Sequence, residues 1–275
     1  MHGQPPGSSR ARLGALGLRP RKRLSQSFLE DQGVAAAIVR AARLDPTTDV
    51  LEVGPGLGVM TRRLAEHARR VVAVEIDTAL ASALQDEQAD NVEVVTADVL
   101  AFDPAAYFKA PYTVVANLPY HITSPALRHL LTAGPPFAQR LVVMVQAEVA
   151  ARLAAQPGEM SALAVTTQVQ ARVELVRRVS AAAFYPRPKV DSAILVLQPL
   201  ADEHRAIRRN ELAEFTSLVQ AGFKQPRKTL ANSLADGLGI PRAEALERLE
   251  RAAIDARLRP QALAPADWVR LYRTP

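Results

Sequence analysis

The stretch LEVGPGLG, Leu51 to Gly58, decides the fold, because it joins an apolar run to a helical pattern through a glycine-rich turn. Its glycines stand at positions 54, 56 and 58. Glycine lets a backbone turn sharply and approach a bound molecule with no side chain in the way. Tight strand-to-helix turns also occur without ligands, so the turn alone does not establish a binding site. The rest of the chain decides between these two interpretations.

Short apolar runs alternate with helical patterns on both sides of this turn. The candidate strands are DVLEVG (49–54), RRVVAVEID (69–77), VEVVTAD (92–98), YTVVANLPY (112–120) and RLVVMVQ (140–146). Helical patterns such as VMTRRLAEHA (59–68) and TALASALQDEQ (78–88) lie between them. Strands rich in Val without polar alternation indicate a parallel sheet covered by helices on both faces. The predicted fold class is therefore α/β, with a Rossmann-like, mostly parallel sheet.

The second half of the chain changes character near residue 200. LAVTTQVQARVELVRRV (163–179) and SAILVLQPL (192–200) are predicted as further strands, with an antiparallel pair at the sheet edge. After Pro199, apolar residues recur at spacings of three and four, which predicts a small helical domain. We therefore expect three regions: a disordered basic arm over 1–20, an α/β domain over 21–200 and a helical domain over 201–275.

Composition narrows the possible functions. The 275-residue chain contains no cysteine, which rules out disulfides and thiolate catalysis or ligation. Its five scattered histidines give no pattern for a metal site. No apolar run approaches the roughly 20 residues that cross a bilayer, and the start lacks the apolar centre of a signal peptide. A cytoplasmic protein is expected, although the acid-free start, with its Arg and Ser, is compositionally similar to an organelle transit peptide.

The net charge of +6 is concentrated at the two ends of the chain. Residues 30–200 hold 15 basic and 18 acidic side chains, whereas 201–275 hold 13 and 10. Six basic residues precede the first acid, Glu30: Arg10, Arg12, Arg19, Arg21, Lys22 and Arg23. This distribution favours a polyanionic partner that binds outside the central domain. For the N-terminal arm, a disordered tail that only increases solubility is the alternative.

Carboxylates follow the two strands after the glycine turn. Glu75 ends the next strand, 21 residues after Gly54, where a carboxylate can accept both hydroxyl protons of a ribose. Asp98 ends the third strand, where it could meet an adenine edge. Together these positions describe a nucleoside lying across one edge of the sheet. Taken alone, either acid could instead be a solvated residue at a helix start.

The glycine spacing, G-P-G-L-G, differs from the G-x-G-x-x-G fingerprint of dinucleotide folds, and Glu52 precedes it. This combination resembles class I S-adenosylmethionine methyltransferases. Their ligand has no pyrophosphate, and its amino and sulfonium groups favour acidic surroundings.

The fourth candidate strand delivers Asn117-Leu118-Pro119-Tyr120 to the same edge. An exocyclic adenine amine is a poor nucleophile because its lone pair is delocalised into the ring. The Asn117 side-chain oxygen and the Leu118 carbonyl could accept its two N–H bonds and favour the tetrahedral geometry of attack. Pro119 would stiffen the turn, and Tyr120 would stack on the base. An ordinary strand-exit turn is the alternative.

Three further motifs make the resemblance more specific: QSFL (26–29), FYPRPKVDS (184–192) and GFKQPRKTLANSL (222–234). From about residue 20 onward, the chain resembles the small-subunit ribosomal RNA adenine dimethyltransferase (KsgA) family. The resemblance implies dimethylation of the exocyclic N6 amines of two adjacent adenosines in a hairpin loop near the 3′ end of small-subunit RNA. It also implies S-adenosylmethionine as methyl donor, S-adenosylhomocysteine as product, no metal, and a monomer acting on an immature small ribosomal subunit.

The same resemblance implies roles for individual residues. The cofactor site would be lined by Ser27, Leu29, Gly54, Gly56, Glu75, Asp98 and Asn117. The adenine would meet Asn117, Leu118, Pro119 and Tyr120, with Phe184 stacked on its other face. RNA phosphates would be contacted by Arg187, Lys189, Lys224, Arg227 and Lys228, for which a solvated loop or helix face is the alternative. Two positions depart from the family pattern, since Ser27 and His121 stand where Asn is usual.

Three other functions remain open from sequence alone. The chain could act chiefly as an assembly factor that occupies the immature small subunit, with methylation as a release step. It could be a resistance-type methylase of large-subunit RNA, although those enzymes lack the 222–234 segment. A nicotinamide-dependent dehydrogenase would share the sheet and Glu75, but would explain neither Asn117–Tyr120 nor the basic ends.

Overall fold

The computed structural model describes residues 7–87 and 89–274, so the prediction for residues 1–6 lies outside the described chain. Its strands are β1 (Phe28–Leu29), β2 (Asp49–Val53), β3 (Arg70–Glu75), β4 (Val92–Thr96), β5 (Tyr112–Asn117), β6 (Ala138–Gln146), β7 (Ala171–Val179), β8 (Phe184–Tyr185) and β9 (Ser192–Pro199). Its helices are α1 (Ser9–Ala15), α2 (Gln32–Ala42), α3 (Val59–Ala65), α4 (Thr78–Gln85), α5 (Thr123–Thr132), α6 (Ala147–Leu153), α7 (Ala162–Gln168), α8 (Leu212–Gly222), α9 (Leu230–Leu238), α10 (Arg242–Arg251) and α11 (Pro265–Arg273).

Seven strands form one sheet in the order β4-β3-β2-β5-β6-β9-β7. The neighbours from β4 to β6 are parallel, and β9 runs antiparallel to β6. The predicted α/β fold with a mostly parallel sheet is confirmed. Strands β3 and β4 lie on one side of β2, whereas β5 and β6 lie on the other, so the strand order reverses between β2 and β5. Ligands of such sheets bind beyond the carboxyl ends of the strands at this switch point.

The sheet is held by apolar side chains on its strands and on the helices beside it. All five residues of β2 are buried, as expected for a strand covered on both faces. Val34 and Ile38 of α2 and Leu64 of α3 belong to the same buried cluster as the sheet residues. Each fully buried side chain of this kind contributes about 1.5–3 kcal/mol. This packing fixes the strand ends that carry the site.

Contacts divide the chain into two compact units. The first comprises Met1–Ala150 and Glu174–Pro199, and the second comprises Ala151–Val173 and Leu200–Pro275. The second unit has its own core, which includes the fully buried Phe215 and Trp268. Sequence analysis placed one boundary near residue 200 but assigned 151–173 to the first domain. That segment belongs to the second unit because α7 packs into the helical core.

Two predictions of local structure were wrong. LAVTTQ (163–168), predicted as a strand, lies in helix α7. The Ser161 hydroxyl caps this helix by accepting a hydrogen bond from the Ala164 N–H at 3.2 Å. Ala164, Val165 and Thr167 are buried, so helical packing outweighs the strand preference of the β-branched residues.

The supposed disordered arm also contains structure, because residues Ser9–Ala15 form α1. The Ser8 hydroxyl accepts a hydrogen bond from the Ala11 N–H at 3.3 Å, and Leu13 is only 3% exposed. Leu13 shares a buried cluster with Phe28, Leu57 and Leu80, which gives the helix an apolar surface to pack on.

Among the described residues, no helix combines the length and the apolar character needed to cross a membrane.

Candidate active site

The glycine turn after β2 has the conformation that its sequence predicts. Gly54, Gly56 and Gly58 have φ angles of 72°, 56° and 71°, in the left-handed region that favours glycine. A Cβ atom on Gly56 would lie 3.1 Å from Cδ1 of Phe28, and one on Gly58 would lie 2.5 Å from Cδ1 of Leu84. Any larger residue would therefore strain the backbone and push into neighbouring side chains. The turn leads directly into α3.

One pocket joins this turn to the carboxyl ends of β3, β4 and β5. The structure brings every predicted cofactor and base contact to it. These lining residues are Ser27, Leu29, Gly54, Gly56, Glu75, Asp98, Asn117, Leu118, Pro119, Tyr120 and Phe184. Their convergence follows from the parallel strands, whose carboxyl ends meet at a single edge.

Glu75 ties the glycine turn to the next helix. Its Oε2 accepts a hydrogen bond from the Gly56 N–H at 3.1 Å, and its Oε1 accepts one from the Asp77 N–H at 3.0 Å. Burial raises the pKa of this carboxyl, while these two N–H groups oppose the rise. Asp98, by contrast, is exposed at the pocket rim and accepts a hydrogen bond from the Leu100 N–H at 2.9 Å.

Glu52 lies under the glycine turn on β2 and is only 2% exposed. Its Oε2 has no hydrogen-bond partner within the described residues. Burial raises the pKa of this carboxyl to about 8, and the nearby Glu75 charge acts in the same direction. An unpaired buried carboxyl favours any cation that comes close to it.

The turn after β5 presents two hydrogen-bond acceptors to the pocket. The Asn117 amide donates from Nδ2 to the Ser27 carbonyl at 3.4 Å, which identifies its other atom, Oδ1, as the free acceptor. The Leu118 N–H donates to the Met144 carbonyl at 3.1 Å. Neither Asn117 Oδ1 nor the Leu118 carbonyl receives a hydrogen bond from the residues that the structure describes.

Tyr120 begins a short 3₁₀ turn, Tyr120–Ile122, and its side chain is anchored at the hydroxyl. The hydroxyl lies 2.9 Å from Oγ of Ser192, which is 1% exposed at the start of β9. On another side of the pocket, Phe184 pairs with Leu29 in the two-stranded sheet of β1 and β8. Phe184 is 5% exposed, so its ring forms part of the pocket wall.

An N-terminal segment, Arg21–Leu29, borders the pocket and is held by side chains from several elements. Gln26 Nε2 donates to Asp77 Oδ2 at 2.8 Å, and Arg21 Nη1 pairs with Asp77 Oδ1 at 3.1 Å. The Ser27 hydroxyl donates to the Pro186 carbonyl at 3.0 Å. Near them, Ser25 Oγ lies 3.2 Å from Nδ1 of His121.

Sequence analysis did not identify Gln26, Asp77 or Ser192 as parts of the site. Each had a signal in the sequence, however. Gln26 and Ser192 stand at the ends of the QSFL and FYPRPKVDS motifs, and Asp77 follows Glu75 by two positions. Asp77 also begins α4, where Asp is a preferred capping residue, and its Oδ1 accepts a hydrogen bond from the Ala79 N–H at 3.1 Å.

The side chains predicted to contact RNA differ in whether they are already paired within the protein. In the first unit, Arg187 and Lys189 are exposed and have no side-chain partner among the described residues. In the second unit, Arg227 and Lys228 are likewise exposed and unpaired within the described chain. Lys224 instead pairs with Asp236 at 3.2 Å and donates to the Asp236 carbonyl at 3.0 Å. Its charge is therefore partly neutralised within the unit.

No group of three or more His, Cys, Asp or Glu side chains in residues 7–87 and 89–274 is arranged to hold a metal ion. The pocket is lined by glycine backbone, carboxylates, the amides of Gln26 and Asn117, and aromatic and aliphatic side chains.

Comparison with known proteins gives consistent matches over almost the whole chain. The family model described as "Ribosomal RNA adenine dimethylase" matches residues 17–273. A curated relative from Dehalococcoides mccartyi, described as "Ribosomal RNA small subunit methyltransferase A", is 43% identical and covers 91% of this chain and 87% of its own length. A relative with the same description from Moorella thermoacetica is 40% identical and covers 98% and 97%.

Solved structures extend the likeness to the fold. The 23S rRNA methyltransferase ErmE is 32% identical, with a TM-score of 0.70, over 90% of this chain and 98% of that chain. A dimethyladenosine transferase from Plasmodium falciparum is 26% identical, with a TM-score of 0.76, over 89% and 95%. These matches give no support to a dehydrogenase. From the span of the family match and the identity of these relatives, the chain belongs to the ribosomal RNA adenine dimethylase family.

Proposed function

We propose that this protein dimethylates the N6 amines of two adjacent adenosines in a 3′-terminal hairpin loop of small-subunit ribosomal RNA, using S-adenosylmethionine. The single observation that carries the proposal is the pair of free acceptors at the end of β5. Asn117 Oδ1 and the Leu118 carbonyl line the same pocket as the glycine turn and Glu75. An amine with two N–H bonds matches two acceptors placed in this way.

The residues of the pocket suit S-adenosylmethionine. The positive-φ glycines leave room for a ligand against the backbone, and the Glu75 carboxylate faces the same pocket, as a ribose contact requires. The exposed Asp98 carboxylate is available for an adenine amine. S-adenosylmethionine supplies an electrophilic methyl group on a sulfonium, and the unpaired Glu52 carboxyl adds a negative potential beneath the turn once ionised.

For the target adenine, the chain supplies orientation and hydrogen-bond acceptors. Because the Ser27 carbonyl accepts from Asn117 Nδ2, the amide cannot rotate freely and Oδ1 remains the acceptor for the substrate N–H. Holding both N–H bonds favours the tetrahedral nitrogen of the transition state over the planar ground state. Tyr120 stacks on one face of the base, and Phe184 closes the pocket on the other side.

The proposed partner is an immature small ribosomal subunit in the cytoplasm, bound by the protein as a monomer. Arg187, Lys189, Arg227 and Lys228 would contact RNA phosphates, since their exposed charges are unpaired within the described chain. Lys224 would join them on releasing Asp236. The relatives described as small-subunit methyltransferases support this choice of RNA.

Modification of large-subunit RNA is the second candidate, favoured by the likeness to the 23S rRNA methyltransferase ErmE. An assembly factor whose main task is to occupy the subunit shares the first proposal's binding features. We expect mass spectrometry of nucleosides to find N6,N6-dimethyladenosine after the protein acts on unmethylated small subunits, and none after it acts on large subunits.

The decisive variant is Asn117→Ala, which removes one of the two acceptors and is expected to abolish methyl transfer, while cofactor binding is at most weakened. Asn210→Ala, at an exposed position outside the pocket and outside the 222–234 motif, is the control and should remain active. An active Asn117→Ala protein would contradict the proposed site. Equal growth defects for a deletion and for Asn117→Ala would argue against a separate assembly role.

A further inference from the structure

A second charged surface lies on the first unit, away from the pocket just described. A cleft beside the end of α2 is lined by Arg40, Arg43, Arg140 and Arg177, with Glu174 as the one acidic side chain among its described lining residues. We call it the arginine cleft. Its arginines come from three elements that are distant in sequence, namely the end of α2, the start of β6 and the edge strand β7. The fold therefore assembles this charge; no local run of basic sequence does so.

The charges of the arginine cleft are not neutralised by the protein. The side chains of Arg40, Arg43 and Arg177 are exposed and make no hydrogen bond or ion pair with the described residues. Other arginines of this unit do pair, such as Arg69 with Asp49 at 2.6 Å. Arg140 donates to the Ala41 carbonyl at 3.4 Å, so it also supports the end of α2. Burial and the nearby Arg43 charge lower the pKa of Arg140, as expected for crowded cations.

Arg43 has a left-handed backbone conformation that disfavours any side chain. It follows α2 with a φ of 52°, a conformation that glycine adopts without strain. A side chain in this region is less favourable than glycine. The Arg43 guanidinium has no hydrogen-bond or ion-pair partner within the described residues, so it is available to an external anion.

The cleft and the pocket lie on one rigid sheet. Arg140 pairs in register with Thr113 of β5, whereas Asn117, at the pocket, pairs with Met144. Four residues along a strand span about 13 Å, so the cleft lies well outside the space of a single base. A long polyanion that places one nucleotide in the pocket can therefore meet the cleft with another part of its backbone.

We propose that the arginine cleft binds the phosphate backbone of the ribosomal RNA substrate outside the target loop. This inference rests on the proposed function, which makes RNA the polyanion. Guanidinium groups bind phosphate oxygens in a bidentate manner, and four of them against one carboxylate give the cleft a strong net positive charge. Such contacts carry no sequence information and serve to orient the subunit on the enzyme.

The test uses full-length protein and unmethylated small subunits, with methyl transfer measured over a range of subunit and salt concentrations. For the double variant Arg40→Gln, Arg177→Gln, we expect KM to rise about tenfold with kcat unchanged. The slope of log affinity against log salt concentration should fall in magnitude by about one for each charge removed. The matched control is Arg128→Gln with Arg178→Gln, two exposed arginines of the first unit outside the cleft whose side chains make no hydrogen bond or ion pair with the described residues; this pair should change KM little.

Two single variants separate binding from folding. Arg43→Gly relieves the positive φ, so its melting temperature should be unchanged or higher while its KM rises. Glu174→Gln removes the acid from the cleft and should lower KM, a gain that misfolding cannot produce.

An unchanged KM and salt slope in the Arg40→Gln, Arg177→Gln protein would overturn the inference. An equal rise of KM in the control pair would overturn it as well, because net charge alone would then explain the effect. Cleft-dependent binding to anionic phospholipid vesicles, with unchanged binding to subunits, would instead identify a membrane ligand. If wild-type protein fails to methylate small subunits, the proposed function fails, and the two failures are thus distinguishable.

Discussion

At the scale of single residues, position 27 shows how a substitution can leave a site intact. The family resemblance leads one to expect Asn there, and the chain has Ser27. The Ser27 side chain bonds to the Pro186 carbonyl, whereas its backbone carbonyl accepts from Asn117. The atom that orients the Asn117 amide therefore belongs to the backbone, which every residue type provides. The side chain contributes by fixing the segment that carries this carbonyl.

Ser192 is expected to position Tyr120 for stacking, because its buried hydroxyl lies 2.9 Å from the Tyr120 hydroxyl. Ser192→Ala and Tyr120→Phe should each reduce kcat/KM by about two- to tenfold, the effect of losing one hydrogen bond. The double variant should be no worse than either single one, since both remove the same interaction. Steady-state methyl-transfer kinetics measure this, with Ser82→Ala on an exposed position as control. Additive losses would show that the two hydroxyls act independently.

Glu52 should make the stability of the ligand-free protein depend on pH. Burial raises its folded pKa to about 8, above the ordinary value of 4.5 for glutamate, so the unfolded chain releases the proton first as pH rises. The contribution of Glu52 to the free energy of unfolding is complete below about pH 4.5 and is lost as the pH rises through about 8. Glu52→Gln should flatten this part of a urea-denaturation profile measured from pH 5 to 9. Glu66→Gln, on the exposed end of α3, should leave the profile unchanged.

At the scale of elements, Asp77 connects three parts of the site. It caps α4, donates its backbone N–H to Glu75, and holds Arg21 and Gln26 of the N-terminal segment. A single carboxylate thereby sets the start of a helix and the position of a segment more than 50 residues earlier in the chain.

Asp77→Ala is expected to weaken S-adenosylmethionine binding, whereas Asp31→Ala is not. Each variant loses a helix cap, at a cost of about 0.5–2 kcal/mol, because Asp31 caps α2 in the same way. Only Asp77→Ala also releases Arg21 and Gln26. Calorimetric titration with the cofactor and hydrogen exchange over residues 21–29 measure the difference. Equal affinities in the two variants would show that the N-terminal segment is held without Asp77.

Most elements of the first unit could be predicted from sequence, and the reasons for the exceptions are physical. The central strands carry Val-rich runs with no polar alternation, which leave little choice besides a buried strand. In the second unit, LAVTTQ also contains apolar and β-branched residues, but its conformation depends on the Ser161 cap and on distant helices that bury one of its faces. Helix α1 likewise depends on the burial of Leu13 against Phe28 and Leu57. Local composition contains neither kind of contact.

At the scale of the whole molecule, the positions of strand ends in the sequence predicted the cofactor-binding residues. Contacts between side chains from remote parts of the chain could not be predicted from the spacing of residues. Glu75 and Asn117 each end a parallel strand, and Asp98 follows the end of β4 at Thr96, so their meeting follows from topology. The pairing of Leu29 with Phe184, and the contact of Tyr120 with Ser192, join positions without any local pattern. The arginine cleft is of the same kind.

The second unit should be sensitive to a single methyl group at Gly237. A Cβ there would lie 2.3 Å from the Ala221 carbonyl oxygen, a backbone atom that cannot rotate away. We expect Gly237→Ala to destabilise this unit by about 1–3 kcal/mol, the usual cost of overpacking. Gly14→Ala in α1, which has nothing within 4 Å, should be neutral or stabilising. Thermal unfolding combined with hydrogen exchange assigns the loss to residues 200–274; unchanged exchange there would contradict the prediction.

The pairing of β1 with β8 has a consequence for the order of synthesis on the ribosome. The Leu29 segment emerges early, but its partner Phe184 follows 155 residues later, after the whole parallel part of the sheet. Strand β9, which supplies Ser192, emerges later still and must then insert between β6 and β7. Such non-local pairings form late because the intervening chain has to be ordered first. The nascent polypeptide therefore lacks the β1–β8 pairing and the Tyr120–Ser192 contact of the pocket until its first unit is complete.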